Sequence, residues 1–119
     1  MNKNQPFLER LGFALAGLGH ALRAERSVRV QFGAFCIAVV AMLVLRPEPI
    51  WWGLVFLASS SVLAAELFNT ALEHLADHLH PEIHPSIRIV KDCAAGAVLI
   101  TVCGAIGVGV ALAVHLWLH

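Results

Sequence analysis

The sequence predicts an all-α membrane protein, with an N-terminal amphipathic helix lying in the interface and three transmembrane helices after it. Three observations predict this. Hydrophobic residues make up 59% of the 119 and charged residues only 13%, with a mean hydropathy of +0.78, where a soluble domain carries about 25% charge. A domain this small has a large surface for its volume, and so few charges do not cover it. The apolar residues also fall into three long runs, and the segment before the first run has a helical period. The length leaves room for one domain, residues 1–119.

Residues 7–29 read as the amphipathic helix. Phe7, Leu11, Leu15, Leu18 and Leu22 recur every three or four positions, while Glu9, Arg10, His20, Arg23 and Arg26 supply a polar face. Moderate hydrophobicity suits a helix lying in the interface rather than crossing the bilayer. The first span, about 30–45, has Gln31 as its one polar residue. That length of helix covers about 24 Å, short of a hydrocarbon core of about 30 Å, so the preceding helix is expected to continue into the membrane for a turn. The RPEP segment (Arg46 to Pro49) ends it, since proline lacks a donor and biases its neighbour away from helix.

The second span, about 50–72, opens on Trp51 and Trp52, placed for an interfacial aromatic belt. Toward its far end come Glu66, Asn69, Glu73 and Asp77. The third span, about 93–117, contains Gly96, Gly104, Gly107 and Gly109, small residues that let helices approach closely in lipid. Five of the eight basic residues (Lys3, Arg10, Arg23, Arg26, Arg29) precede the first span, and Arg88 and Lys91 lie in the second connection. The excess of basic residues on the cytoplasmic side then puts the N-terminus and that connection in the cytoplasm. No secretory signal is visible, and the chain is expected to stay at full length.

The formal net charge is zero, which argues against nucleic acid as a partner. Cys36, Cys93 and Cys103 form no CxxC pair and lie in or beside apolar runs, where a thiol packs as a small hydrophobe. No disulfide framework is expected.

Chemistry concentrates in the second span. Glu66, Asn69, Glu73 and Asp77 lie within one narrow stripe of a helix at about 100° per residue. Carboxylates entering an apolar span repel each other and lose hydration; near the bilayer centre each costs at least about 2.5–3.5 kcal/mol. Such a stripe calls for cations. Magnesium suits it, because it binds carboxylate oxygens together with substrate phosphates. Lys91 offers a mobile charge for phosphate, Asp92 stands beside it to orient Lys91 or a nucleotide group, and Glu25 adds a carboxylate at a similar depth. These parts suit phosphoryl transfer, although neither GxxxxGK[ST] nor GxGxxG occurs.

The segments AAELFNTALEHLAD (Ala64 to Asp77) and VKDCAAGAVLI (Val90 to Ile100) resemble the signature of the small bacterial integral-membrane diacylglycerol kinases and the related undecaprenol kinases. The likeness covers nearly the whole chain, including an AGL…E…R pattern over Ala16 to Arg29. It implies a homotrimer with active sites shared between subunits near the cytoplasmic face of the bacterial inner membrane. ATP is the implied co-substrate, magnesium the cofactor, and a membrane lipid the acceptor. By motif, Glu66 is the general base on the lipid hydroxyl, and Glu25 and Glu73 are magnesium ligands. Asn69 supports the site, Lys91 contacts phosphate, Asp77 and Asp92 belong to the nucleotide site, and Arg10 joins them through a looser match. The resemblance implies an ATP-dependent lipid kinase, with diacylglycerol the favoured acceptor and undecaprenol the alternative. Gln31 stands where the diacylglycerol type often has an acid and the undecaprenol type often a histidine.

Other readings compete. The stripe could be a structural polar face between subunits, and Glu25, set among Arg23, Arg26 and Arg29, a solvated helix charge. Carboxylates and histidines could together form the relay of a small ion or metal transporter. His74, His78, His80 and His84 could bind zinc or copper, yet His74 and His78 fall about 100° or more from the Glu66–Glu73 stripe, and HLHPEIHP reads better as a hydrated loop. Ser59, Ser60 and Ser61 have no histidine base at useful spacing, so bonding back to their own helix is expected.

Overall fold

Why the expected amphipathic helix stops early is visible at Glu25. In the computed structural model, which describes residues 4–82 and 84–119, the helices are α1 (Phe7–Ala24), α2 (Arg26–Leu45), α3 (Pro49–Leu79) and α4 (Pro85–Leu118). Lys3 lies outside the described residues. Glu25 between α1 and α2 is extended, with φ −110° and ψ 119°. Its N–H still reaches the Ala21 carbonyl at 2.8 Å, and its own carbonyl accepts from the Arg29 N–H at 3.2 Å. The carbonyls freed at the end of α1 are taken by the Arg29 guanidinium, whose Nη1 donates to Leu22 O at 3.2 Å and Arg23 O at 2.8 Å. Helix ends need such partners. The helix expected over 7–29 therefore ends at Ala24, and Arg26 to Arg29 form the first turn of the first span, the extra turn that a 16-residue run required.

α2, α3 and α4 are each long and apolar enough to cross a membrane. α3 has 31 residues and α4 has 34, about 46 and 51 Å of helix. Both exceed a 30 Å core, so they project beyond it. Their bounds outrun the apolar runs at 50–72 and 93–117 because the polar turns on either side of the second connection are helical too. Pro49 and Pro85 each stand in a first helical turn, where a missing N–H costs nothing. The His84 Nδ1 accepts from Ser86 N at 3.1 Å and caps α4.

α3 and α4 pack antiparallel. Lys91 meets Asp77 at one end, and the Trp51 and His115 rings lie 5.4 Å apart at the other. The covered residues include one stripe along α4, of Lys91, Ala94, Val98, Thr101, Ala105, Val108, Leu112 and His115, and one along α3, of Val55, Ser59, Val62, Glu66, Asn69, Glu73 and Ala76. Spacings alternate between three and four, the period of knobs-into-holes packing. At the Trp end Met42, Val55 and Leu112 form a buried cluster with Ala38, Trp51, Trp52 and Val108 against it, and Phe35 meets Phe56 edge-on at 5.2 Å. Large apolar side chains such as Ile37, Val44 and Ile100 stand about three-quarters exposed. In water that surface would demand burial; in lipid it is solvated.

Candidate functional site in the α3–α4 seam

α3 carries its acidic stripe on the face it buries. Glu66 is only 5% exposed and Thr70 9%. Among the described residues no hydrogen bond or ion pair reaches the Glu66 carboxylate. The antiparallel register sets Thr101 near the level of Glu66 and the small residues Ala94, Ala95, Gly96 and Ala97 near Thr70 to Glu73, which leaves room for polar side chains there. Asn69 Nδ2 donates to Glu73 Oε1 at 3.3 Å, a long bond, and holds one carboxylate oxygen. The buried Asn69 Oδ1 has no partner.

A turn nearer the polar end, Lys91 Nζ donates to Asp77 Oδ1 across the seam. On α4 itself Arg88 Nε lies 3.9 Å from Asp92 Oδ2, both exposed. Exposed pairs of this kind contribute about 0–1 kcal/mol, so an anionic ligand displaces them at little cost. Beside Lys91, Arg88 and Asp92 opens a cleft of about 300 Å³, lined also by His80, Glu82 and His84. Cations and acceptors there face one space, as a polyphosphate carrying a polar base would require.

Glu25 is placed on another side of α3. Its Oε1 lies 3.4 Å from His74 Nε2, and the His20 ring stands edge-on to His74 with centroids 6.2 Å apart. A cavity of about 330 Å³ separates α1 from α3 there, lined by Ala14, Gly17, Leu18, His20, Thr70 and His74 among others. Glu25 thus reaches the level of Glu73 but meets the neighbouring residue, on the face toward α1. Arg10 sits near the start of α1, exposed and without side-chain contact to the others.

The structure therefore sets Glu66, Asn69 and Glu73 on one covered face of α3 and pairs Asp77 with Lys91. It sets Asp92 in the adjoining cleft, Glu25 one face away, and Arg10 apart. Spacing alone gave no reason to join Glu25 to His74, nor to cast Arg29 as the cap of α1. The nearest signal was that RAERSVR holds three arginines around one acid, crowding of like charge that a straight helix tolerates poorly.

Among the described residues no group of three or more His, Cys, Asp or Glu converges on one point. The donors present are nonetheless hard oxygens: the second Glu73 oxygen, the unpartnered Asn69 Oδ1 and the Glu25 carboxylate. In chemical type these donors suit magnesium, which takes one or two carboxylates and completes its shell with phosphates and water, although Glu25 stands on another face of α3 from Glu73 and Asn69.

Fold and site define a class, a small integral membrane protein with a buried acidic site between two of its spanning helices. The family described as Prokaryotic diacylglycerol kinase matches residues 12–113, and the chain belongs to that family. It is 30% identical over 99 residues to the undecaprenol kinase of Bacillus subtilis, covering 83% of this chain and 80% of that one. It is 36% identical over 98 residues to a diacylglycerol kinase of Synechocystis, covering 82% of this chain but only 56% of that longer protein. A diacylglycerol kinase of Helicobacter pylori is 32% identical over 92 residues, 76% of this chain and 70% of its own. The family makes the protein a lipid kinase of the membrane.

Proposed function

We propose that the protein transfers the γ-phosphoryl group of magnesium-ATP to the primary hydroxyl of diacylglycerol, giving phosphatidic acid. The observation that carries the reading is Glu66, only 5% exposed in a membrane bundle and, among the described residues, without a hydrogen-bond or ion-pair partner. A lone buried carboxylate in lipid costs stability and is retained where it accepts a proton. The lipid enters from the side with its hydroxyl at Glu66, which takes the proton as the oxygen attacks phosphorus. Lys91, released from Asp77, contacts the transferring phosphate, and Asp77 and Asp92 hold the nucleotide at the cleft that Lys91 and Asp92 line. Arg10 joins the nucleotide site from α1. Glu73 and Glu25 hold magnesium, with Asn69 fixing Glu73; when bound, the ion screens the phosphate charge and orients the oxygens. Positioned base and electrostatics together supply most of the catalysis in such transfers.

Three copies form the working enzyme, sharing sites between neighbours. The reading draws on Gly104, Gly107 and Gly109, where, as at the other glycines, an added Cβ meets nothing within 4 Å among the described residues, and on Arg10, exposed on α1. The enzyme resides in the bacterial inner membrane with its N-terminus and site cytoplasmic. Undecaprenol is the second acceptor to consider, since the Bacillus relative bears that activity in its name over 80% of its length. The transport reading draws on the same carboxylates and histidines, and family membership favours the kinase.

ADP release by the purified protein in detergent tests the proposal. It is expected only when diacylglycerol and magnesium are both present; ADP release that ignores added lipid, or none at all with it, contradicts the reading.

A further inference from the structure

One helical turn from Glu66, away from the Asp77 end of α3, lies a mostly apolar cavity with two polar residues in its wall. It measures about 170 Å³ and is lined by Gln31 and Phe35 of α2, Ser59 and Val62 of α3, and Ala105 of α4, with further small residues. Val62 precedes Glu66 by one helical turn, about 6 Å along α3. Two of the lining residues are polar. Ser60 and Ser61 satisfy their hydroxyls on the Leu57 carbonyl at 3.1 and 2.7 Å, whereas Ser59 makes no such bond. The half-buried Gln31 amide likewise has no partner among the described residues. An unpaired amide in lipid costs free energy, and a pure hydrocarbon chain would leave it unpaired.

We propose that Gln31 and Ser59 form an ester-recognition subsite that selects a glycerolipid over a polyprenol. The inference rests on the proposed lipid hydroxyl at Glu66. Diacylglycerol carries two ester carbonyls a few bonds from that hydroxyl, on the side leading into the acyl chains. With the hydroxyl at Glu66, an ester carbonyl falls into the cavity and accepts from the Gln31 amide, with Ser59 donating beside it. Undecaprenol has only isoprenoid hydrocarbon at this depth and leaves both donors unpaired. Sites built to hydrogen-bond a substrate reject analogues that lack the partner.

The test compares dioleoylglycerol, its diether analogue and undecaprenol as acceptors for full-length protein in mixed micelles. Wild type is expected to favour the diester over the diether by about tenfold in kcat/KM, the size of one buried neutral hydrogen bond. Gln31→Leu lowers the diester value and brings that ratio to about one, chiefly through KM, and Ser59→Ala moves it the same way by less. A Gln31→Leu protein that keeps the wild-type ratio overturns the subsite while diacylglycerol labelling stands. Equal loss on all three acceptors also overturns it, as a structural effect. Wild type that labels undecaprenol and not dioleoylglycerol overturns the diacylglycerol reading, and the subsite with it.

Discussion

Lys91 and Asp77 join α4 to α3 at the polar end of the seam, one helical turn from Glu73. Lys91 also lines the cleft formed with His80, His84, Arg88 and Asp92. It joins the part of the molecule suited to a lipid hydroxyl and the part suited to phosphate. Because both partners are partly exposed, the pair contributes little to stability and holds Lys91 ready for a more negative partner.

Lys91→Met is accordingly expected to leave assembly and thermal stability within about 1 kcal/mol of wild type while cutting kcat by about a hundredfold or more. Asp77→Asn should raise the KM for ATP more than it lowers kcat. Parallel thermal unfolding and steady-state kinetics check both. A large loss of stability with activity per folded molecule intact would make the pair structural.

Glu66→Gln separates catalysis from folding. Removing a general base is expected to cost about 10²–10⁴ in kcat, with the lipid KM little changed. Replacing a buried charge by a neutral isostere should leave the protein as stable or more so, since the charged form is the costly one in lipid. Unfolding in detergent is the check: a destabilised variant would mean that the carboxylate has a structural partner in the assembled protein.

Magnesium dependence reports on Glu73, Asn69 and Glu25. Glu73→Gln and Asn69→Ala are each expected to raise the magnesium concentration for half-maximal rate by about tenfold, the range found when a ligand or its supporting hydrogen bond is lost. Titration of the rate with magnesium at saturating ATP decides it. An unchanged midpoint in both variants would remove them from the metal site.

Arg29→Ala should loosen the junction at Glu25. Losing two hydrogen bonds to the carbonyls of Leu22 and Arg23 costs about 1 kcal/mol each, felt locally as faster amide hydrogen exchange from Leu22 to Val28. Because Glu25 sits at that junction, its magnesium midpoint should rise as well, and Arg29→Lys should restore part of it. Exchange rates unchanged by the substitution would contradict the capping role.

Much of this was legible in the sequence. The three spans follow from hydropathy, and the stripe of Glu66, Asn69 and Glu73 from helical spacing alone. That the stripe is covered within the bundle was not legible, because periodicity finds a polar face without saying whether or by what it is covered. Helix ends were blurred where polar turns continued as helix, as at Asp77 and Arg88. The break at Glu25 escaped because no glycine or proline marks it; the side chain that completes it, Arg29, lies one turn later. His74 lies off the stripe by helical spacing, and that same offset turns it toward Glu25 on the α1 side.

The most direct measurement is transfer of labelled phosphate from ATP by purified wild type and Glu66→Gln, each offered diacylglycerol and undecaprenol side by side. Strong labelling of diacylglycerol by wild type, with Glu66→Gln silent yet still assembled, is the predicted result. Labelling of neither lipid by intact, magnesium-supplied wild type, or equal labelling by the variant, would contradict the account.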